Sequence, residues 1–205
     1  MNFTIDATTL LVMIASILIG LILHEMMHAF AGLKLGDTTA QEEGRISLNP
    51  LNHIDPFMTI ALPIITLLVF QVPILAAKPV PFNPDRVKWD EFGAAIIAVA
   101  GPLTNLGLAI IGAVLAHALS GNADIYYALT IFVGLNIAIF VFNLVPIPPL
   151  DGSRVLYAFA PDAVRNIMAQ LEQFGIFIVF ALIVAVPAFG ELLINITNSV
   201  YSFLL

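Results

Sequence analysis

His24, Glu25 and His28 stand together as His-Glu-Met-Met-His, two imidazoles four residues apart with a carboxylate between them. On a helix, positions i and i+4 lie one above the other, so one metal ion can be gripped by both rings while the glutamate stands beside it. In that pattern His24 and His28 read as zinc ligands and Glu25 as the base that takes a proton from water. The competing reading is a pair of hydrogen-bonded core histidines, and the setting of the motif weakens it. From Leu10 to Leu35 the only other charge is Lys34. These residues make roughly 39 Å of helix against a hydrocarbon core of about 30 Å, so the motif lies inside a membrane span. Ionisable groups at that depth are costly unless something compensates them.

Catalytic zinc usually keeps three protein ligands and an open position. The chain has no cysteine, and its other histidines are His53 and His117, so the third ligand is expected to be a carboxylate. Asp151 is the candidate, because it follows an apolar helix directly in Asn143-Leu144-Val145-Pro146-Ile147-Pro148-Pro149-Leu150-Asp151-Gly152. The prolines end the helix and leave carbonyls unpaired at membrane depth, which is tolerated where backbone lines a cavity or is buried in protein. They also predict an extended run from Leu144 to Leu150. Taken alone, Asp151 is as well explained as the N-cap of the next helix.

The elements that must position these groups follow from hydropathy. Of 205 residues, 60% are hydrophobic and 10% charged, and the mean hydropathy is +1.01. This is the composition of an all-α polytopic membrane protein, with about four to five transmembrane helices expected. Residues 1–205 read as a single integral-membrane domain, and the N-terminal run reads as a retained anchor, since it lacks the basic start of a secretory signal. The net charge of −7 and only seven Lys and Arg exclude a nucleic-acid partner. After the first helix a polar stretch, Thr38 to Pro56, contains Arg45-Ile46-Ser47-Leu48, whose alternation predicts a short strand-like loop able to pair with an unwound substrate. Spans are expected at Phe92 to Leu119, with Trp89 as interfacial anchor, and at Ile125 to Val145. A short helix from Ser153 to Phe159, an amphipathic stretch from Asp162 to Gln173 and a last apolar region from Phe174 to Leu205 complete the chain.

The apolar run Phe57 to Ala77 decides the parity. If it spans, Asp151 emerges on the side opposite the histidines. If it is re-entrant or interfacial, Asp151 arrives on their side. Lys34, Arg45, Lys78, Arg86, Lys88, Arg154 and Arg165 then all share one face, as the positive-inside rule favours. Both arguments favour the re-entrant form, Asp151 as ligand and an active site nearer the cytoplasmic face.

His24 to His28 in an early span, Gly101-Pro102 in a middle one, and Asn143 with the proline-rich approach to Asp151-Gly152 in a later one resemble the site-2 protease family of intramembrane zinc metalloproteases. The resemblance covers about Leu10 to Arg154 and is to a compact member without an appended PDZ or CBS domain. It implies one zinc ion per chain held by His24, His28 and Asp151, Glu25 as catalytic base, Asn143 as a polar residue at the active site, and transmembrane proteins in the lipid bilayer as substrates. Asn105 is an interhelical hydrogen-bonding residue or a substrate contact. Glu191 is placed at the outer interface if the last span starts near Arg165. The alternative function is a non-hydrolytic membrane metal transporter or metal-binding protein, for which ionisable groups in several spans would be expected.

Overall fold

The computed structural model describes residues 6–53 and 80–205, and the run from Phe57 to Ala77 lies outside them. Eight α-helices are present among the described residues: α1 (Ala7–Lys34), α2 (Thr39–Glu42), α3 (Asp90–Ala118), α4 (Ala123–Asn143), α5 (Asp151–Phe159), α6 (Asp162–Glu172), α7 (Gly175–Ala185) and α8 (Pro187–Leu204). Of these, α1, α3 and α4 are long and apolar enough to cross a membrane, and a bent pair running from α6 into α7 brings the number to four if it counts as one span. The protein is an all-α polytopic membrane protein. Its outer surface carries large apolar side chains such as Leu11, Ile111, Val114 and Phe203, while Ser16, His24, His28, Asn105 and Asn136 are buried. Apolar groups outside and polar groups inside is the distribution that lipid, not water, selects.

Helix α1 starts at Asp6, whose carboxylate accepts from Thr9 N (2.6 Å). It ends where Gly36 takes φ +102° and Asp37 N reaches back to Gly32 O (2.9 Å), a glycine-dependent stop that turns the chain out of the helix. Two contacts set the directions of the spans. Thr9 Oγ1 lies 3.3 Å from Tyr127 OH, which brings the starts of α1 and α4 together. Lys88 N donates to Leu35 O (2.9 Å), which joins the end of α1 to the approach to α3. Thus α1 and α4 run parallel with α3 antiparallel to both, and the chain leaves α4 at the end of α1 that carries the histidines.

Around the three spans the core is narrow. Ala109 and Ala113 of α3 meet Val133, Ile137 and Val141 of α4, with Tyr201 and Leu204 of α8 packed against them. The alanines let the backbones approach closely, which in lipid replaces the hydrophobic drive that water would supply. Helix α8 runs back along α4: Phe189 packs on the Val145, Leu150 and Val179 cluster, and near the other end His117 Nε2 donates to Leu204 O (3.0 Å). Because the last helix starts at Pro187 rather than near Arg165, exposed Glu191 lies at the site-bearing end of α8, not at the outer interface as the sequence predicts.

Two further expectations are corrected. Arg45 to Leu48 forms no strand; it is part of an irregular loop closed by side chains, with Arg45 Nη1 donating to Asn52 O (2.6 Å), Asn52 Nδ2 to Gly44 O (3.0 Å) and His53 Nε2 to Ser47 O (2.7 Å). Alternation makes a strand only where a partner supplies the ladder, and among the described residues no strand lies beside this segment, while the His53 ring takes Ser47 O. The segment from Leu144 to Leu150 is likewise not extended. Val145 N bonds Phe142 O (3.2 Å), Ile147 N bonds Val145 O (2.9 Å) and Leu150 N bonds Ile147 O (3.0 Å), so it folds as successive tight turns. Proline locks φ near −65°, a value that serves turns as well as extended chain.

Asp37 closes the site-bearing end. Its carboxylate accepts from Thr39 N (3.0 Å), Thr39 Oγ1 (2.5 Å) and Asn83 N (2.7 Å), tying the exit of α1 to the approach to α3. Burial pushes its pKa up, but these donors, with Arg86 nearby, outweigh it and hold the carboxyl below its ordinary range.

Candidate metal centre

Helical spacing puts His24 and His28 on the inner face of α1, with ring centroids 4.6 Å apart and planes nearly perpendicular. Both rings are buried. Their Nε2 atoms are 3.0 Å apart. The turns after α4 deliver Asp151 to them, its Oδ2 lying 3.1 Å from His24 Nε2 and 3.3 Å from His28 Nε2. Asp151 is the first residue of α5 rather than its cap; Leu150 holds the cap position, and no side chain caps the helix. The N-cap explanation of Asp151 therefore fails. Its side chain turns to the histidines instead.

The far side of each ring settles which nitrogens carry protons. His28 Nδ1 lies 2.7 Å from Ile97 O, and a carbonyl can only accept, so Nδ1 is the protonated nitrogen. His24 Nδ1 lies 2.7 Å from Asn105 Oδ1 and is protonated for the same reason. In neutral rings both Nε2 atoms are then lone pairs aimed at one another and at Asp151 Oδ2. The short distances to Asp151 are thus not hydrogen bonds, in keeping with Oδ2 being a buried oxygen with no hydrogen-bond partner. Three electron-rich atoms so disposed repel unless a cation lies among them. Separations of 3.0, 3.1 and 3.3 Å approach the edge of about 3.3 Å expected of a tetrahedron with bonds of about 2.0–2.1 Å. Gly101 completes the cradle: a Cβ built on it would lie 2.3 Å from His28 Nε2 and 2.7 Å from His24 Nε2. Pro102 next to it lacks the donor that would pair Ala98 O, which loosens the α3 turn that presents Ile97 O to His28. Two nitrogens and one carboxylate oxygen, with room for a fourth ligand, are the donor set of a catalytic zinc.

Beside this group is a cavity of about 920 Å³, bounded by α1, α3, α4, α5 and α8, with Glu25, His24, His28 and Asp151 in its wall. Glu25 is therefore on the cavity, next in sequence to His24 and on the same wall as both rings. Asn143 also lines it, with Nδ2 donating to Ile139 O (2.9 Å) in its own helix, so one Nδ2 proton and Oδ1 remain available. Of the sequence-derived candidates, His24, His28 and Asp151 are in mutual contact, while Glu25 and Asn143 face the shared space. Of the two readings of Asn105, the structure shows the interhelical hydrogen bond: Asn105 bonds Gly20 O and Asn136 Oδ1 and meets His24 Nδ1, and it does not line the cavity. Sequence reasoning missed Asn136, which donates to Phe132 O (2.9 Å) and accepts from Asn105 Nδ2 (2.9 Å). The available signal was a lone amide seven residues before Asn143, on the same face of an otherwise apolar helix.

Comparison with known proteins gives the following. Residues 120–186 match the family model described as Peptidase family M50. The chain is 36% identical over 186 residues to "Putative zinc metalloprotease YwhC" of Bacillus subtilis, covering 85% of this chain and 80% of that protein. It is 30% identical over 188 residues to "Putative zinc metalloprotease Rip2" of Mycolicibacterium smegmatis, covering 88% and 69%. It is 32% identical over 140 residues to "Putative zinc metalloprotease MJ0611" of Methanocaldococcus jannaschii, covering 67% and 64%. No solved structure matches the chain.

Proposed function

The chain belongs to peptidase family M50, the site-2 protease family, and is a zinc-dependent protease; we propose that it hydrolyses peptide bonds within or next to transmembrane segments of other membrane proteins, with residues 1–205 as one integral-membrane metalloprotease domain. The observation that carries this reading is depth. The metal-ligating group and Glu25 sit on a cavity walled by spanning helices, whose apolar residues Ile17, Leu21, Ile139 and Phe142 reach from the site along α1 and α4. A soluble polypeptide would have to shed the hydration of its polar groups to enter such a space, whereas an apolar segment already in the bilayer can pass into it without leaving apolar surroundings.

In this proposal His24, His28 and Asp151 hold the zinc. When bound, zinc supplies Lewis acidity that polarises a carbonyl and acidifies water. Glu25 takes the proton from water and later delivers it to the leaving amine, a contribution of about 10²–10⁴ in rate. A helical substrate shields its peptide bonds, so it must unwind to be cut, and its freed N–H and C=O groups then need partners that hydrocarbon does not offer. Asn143, with a free proton and an acceptor oxygen, is placed to bind that backbone or the developing oxyanion. Thr197 and Asn198 of α8 face the same cavity. The described cations, Lys34, Arg45, Arg86, Lys88, Arg154 and Arg165, belong to the connections and helices at the site-bearing end. The positive-inside rule assigns that end, and water access to Glu25, to the cytoplasm.

The test is Glu25→Gln in purified protein reconstituted with a transmembrane model substrate. The variant is expected to keep one zinc per chain and to lose cleavage at least about 100-fold. Cleavage at the wild-type rate would remove Glu25 from the chemistry. A metal transporter using the same three ligands would instead carry zinc into vesicles equally well with either residue.

A further inference from the structure

We infer that Asn105 and Asn136 form a hydrogen-bonded relay that sets the tautomer and orientation of His24, so that the zinc affinity of the site depends on Asn136, a residue two hydrogen bonds away from the nearest ligand. The inference rests on His24 being a zinc ligand, as proposed above.

Both asparagines have 0% exposure, one in α3 and one in α4. In a membrane interior every amide proton and oxygen needs a partner, and the partners here can be counted. Asn105 Nδ2 has two protons; it donates to Gly20 O of α1 (3.2 Å) and to Asn136 Oδ1 (2.9 Å). That leaves Oδ1 as the atom facing His24 Nδ1. Asn136 is orientated in its turn, since its Nδ2 donates to Phe132 O (2.9 Å), which can only accept. Flipping Asn136 would set two NH₂ groups against each other, and flipping Asn105 would set its oxygen against Gly20 O and its NH₂ against His24. The relay therefore has one satisfied arrangement, running from Phe132 O through both amides to His24. In that arrangement the proton of His24 is on Nδ1 and the lone pair of Nε2 points at Asp151. Gly20 permits it: a Cβ there would lie 2.9 Å from Asn136 Oδ1 and 3.3 Å from Asn105 Nδ2.

The two ligands are thus controlled differently. His28 is held by a backbone carbonyl that no side-chain change removes, while His24 is held by a side chain that itself needs support. Without the acceptor at Asn105, His24 is free to place its proton on Nε2, where it blocks ligation. Changing partners of this kind usually costs about 10- to 100-fold in metal affinity. Without Asn136, Gly20 O still biases the Asn105 amide, so a smaller loss follows. The competing explanation is that the asparagines only tie three helices together.

The experiment measures zinc affinity by chelator competition, the visible spectrum of the cobalt(II)-substituted protein, and thermal unfolding without metal, in wild type, Asn105→Leu, Asn105→Asp, Asn136→Leu and His24→Ala. Asn105→Leu is expected to lose zinc affinity about 10- to 100-fold with an altered cobalt spectrum, and Asn136→Leu to lose less but more than about threefold. Asn105→Asp keeps an acceptor for His24 but loses both donors, so it should unfold earlier than wild type while holding zinc better than Asn105→Leu. A purely structural tie predicts no such separation of affinity from stability. Wild-type zinc affinity and cobalt spectra in both leucine variants, with metal lost in His24→Ala, would overturn the relay and leave the metal site standing. Full zinc binding in His24→Ala would instead overturn the metal assignment itself. If the leucine variants do not fold, ¹⁵N-histidine NMR of the metal-free wild type decides: His24 should be protonated on Nδ1, and protonation on Nε2 refutes the relay.

Discussion

Replacing Gly101 with alanine should separate the metal from the fold. The added Cβ would lie 2.3 Å from His28 Nε2 and 2.7 Å from His24 Nε2, about 1 Å inside the usual carbon–nitrogen contact of about 3.5 Å. Both atoms are at the tips of side chains, so the metal-free protein can yield by swinging the rings. Forced repacking of this kind costs about 1–3 kcal/mol, and alanine returns about 1 kcal/mol of helix propensity over glycine. The metal-free protein should therefore lose no more than about 2 kcal/mol and still fold. Zinc has no such latitude, because ligand positions must hold to about 0.2 Å. Rings displaced by about 1 Å cannot both ligate, and a loss of at least about 100-fold in affinity, or about 2.8 kcal/mol, is expected. Zinc stoichiometry by mass spectrometry, chelator competition and cleavage of a transmembrane substrate should fall together while the metal-free protein still unfolds cooperatively. One tightly bound zinc per chain in Gly101→Ala would show that the ion does not sit where the two Nε2 atoms and Asp151 converge.

Other expectations follow from the same geometry. Pro146→Ala combined with Pro148→Ala should lower both zinc occupancy and cleavage, because the turns that return Asp151 to the histidines depend on them; unchanged values for both would mean the turns form without the prolines. Cysteines introduced singly at Gln41, Lys88 and Asp162 should be labelled from the cytoplasmic side and one at Asn122 from the opposite side. Opposite labelling of Gln41 and Lys88 would contradict the contact between Lys88 and Leu35. Asp37→Ala should destabilise the protein by about 1–3 kcal/mol near neutral pH by orphaning donors from Thr39 and Asn83. Since the folded-state pKa of Asp37 is lowered, its contribution in the wild type is complete above the unfolded value of about 3.9 and is lost as pH falls through the lower folded value. The difference in thermal unfolding between wild type and Asp37→Ala should therefore be constant above about pH 4 and narrow as the pH is lowered below it.

The spans, the stacking of His24 with His28 on one helical face and the expectation of a carboxylate beside them were legible in the chain itself, since helical period, hydropathy and the absence of cysteine are local or compositional properties. The same holds for the side on which Asp151 emerges, because charge asymmetry and span parity survive without coordinates; the parallel course of α1 and α4 agrees with that expectation. Other features depended on contacts between residues far apart in sequence. Whether Asp151 capped a helix or faced the histidines turned on the path of the turns from Leu144 to Leu150, and proline's fixed φ is compatible with extended chain and with turns alike. The alternation from Arg45 to Leu48 could not announce that the loop would be closed by Arg45, Asn52 and His53 side chains instead of by a neighbouring strand. Asn105 read as an amide in an apolar helix and Asn136 was not singled out, and which way each amide faces was decided by carbonyls contributed by α1 and by α4 itself. A sequence carries the hydrogen-bonding capacity of a side chain, but only packing chooses its partner, and in this protein that choice leaves Nε2 of His24 facing Asp151.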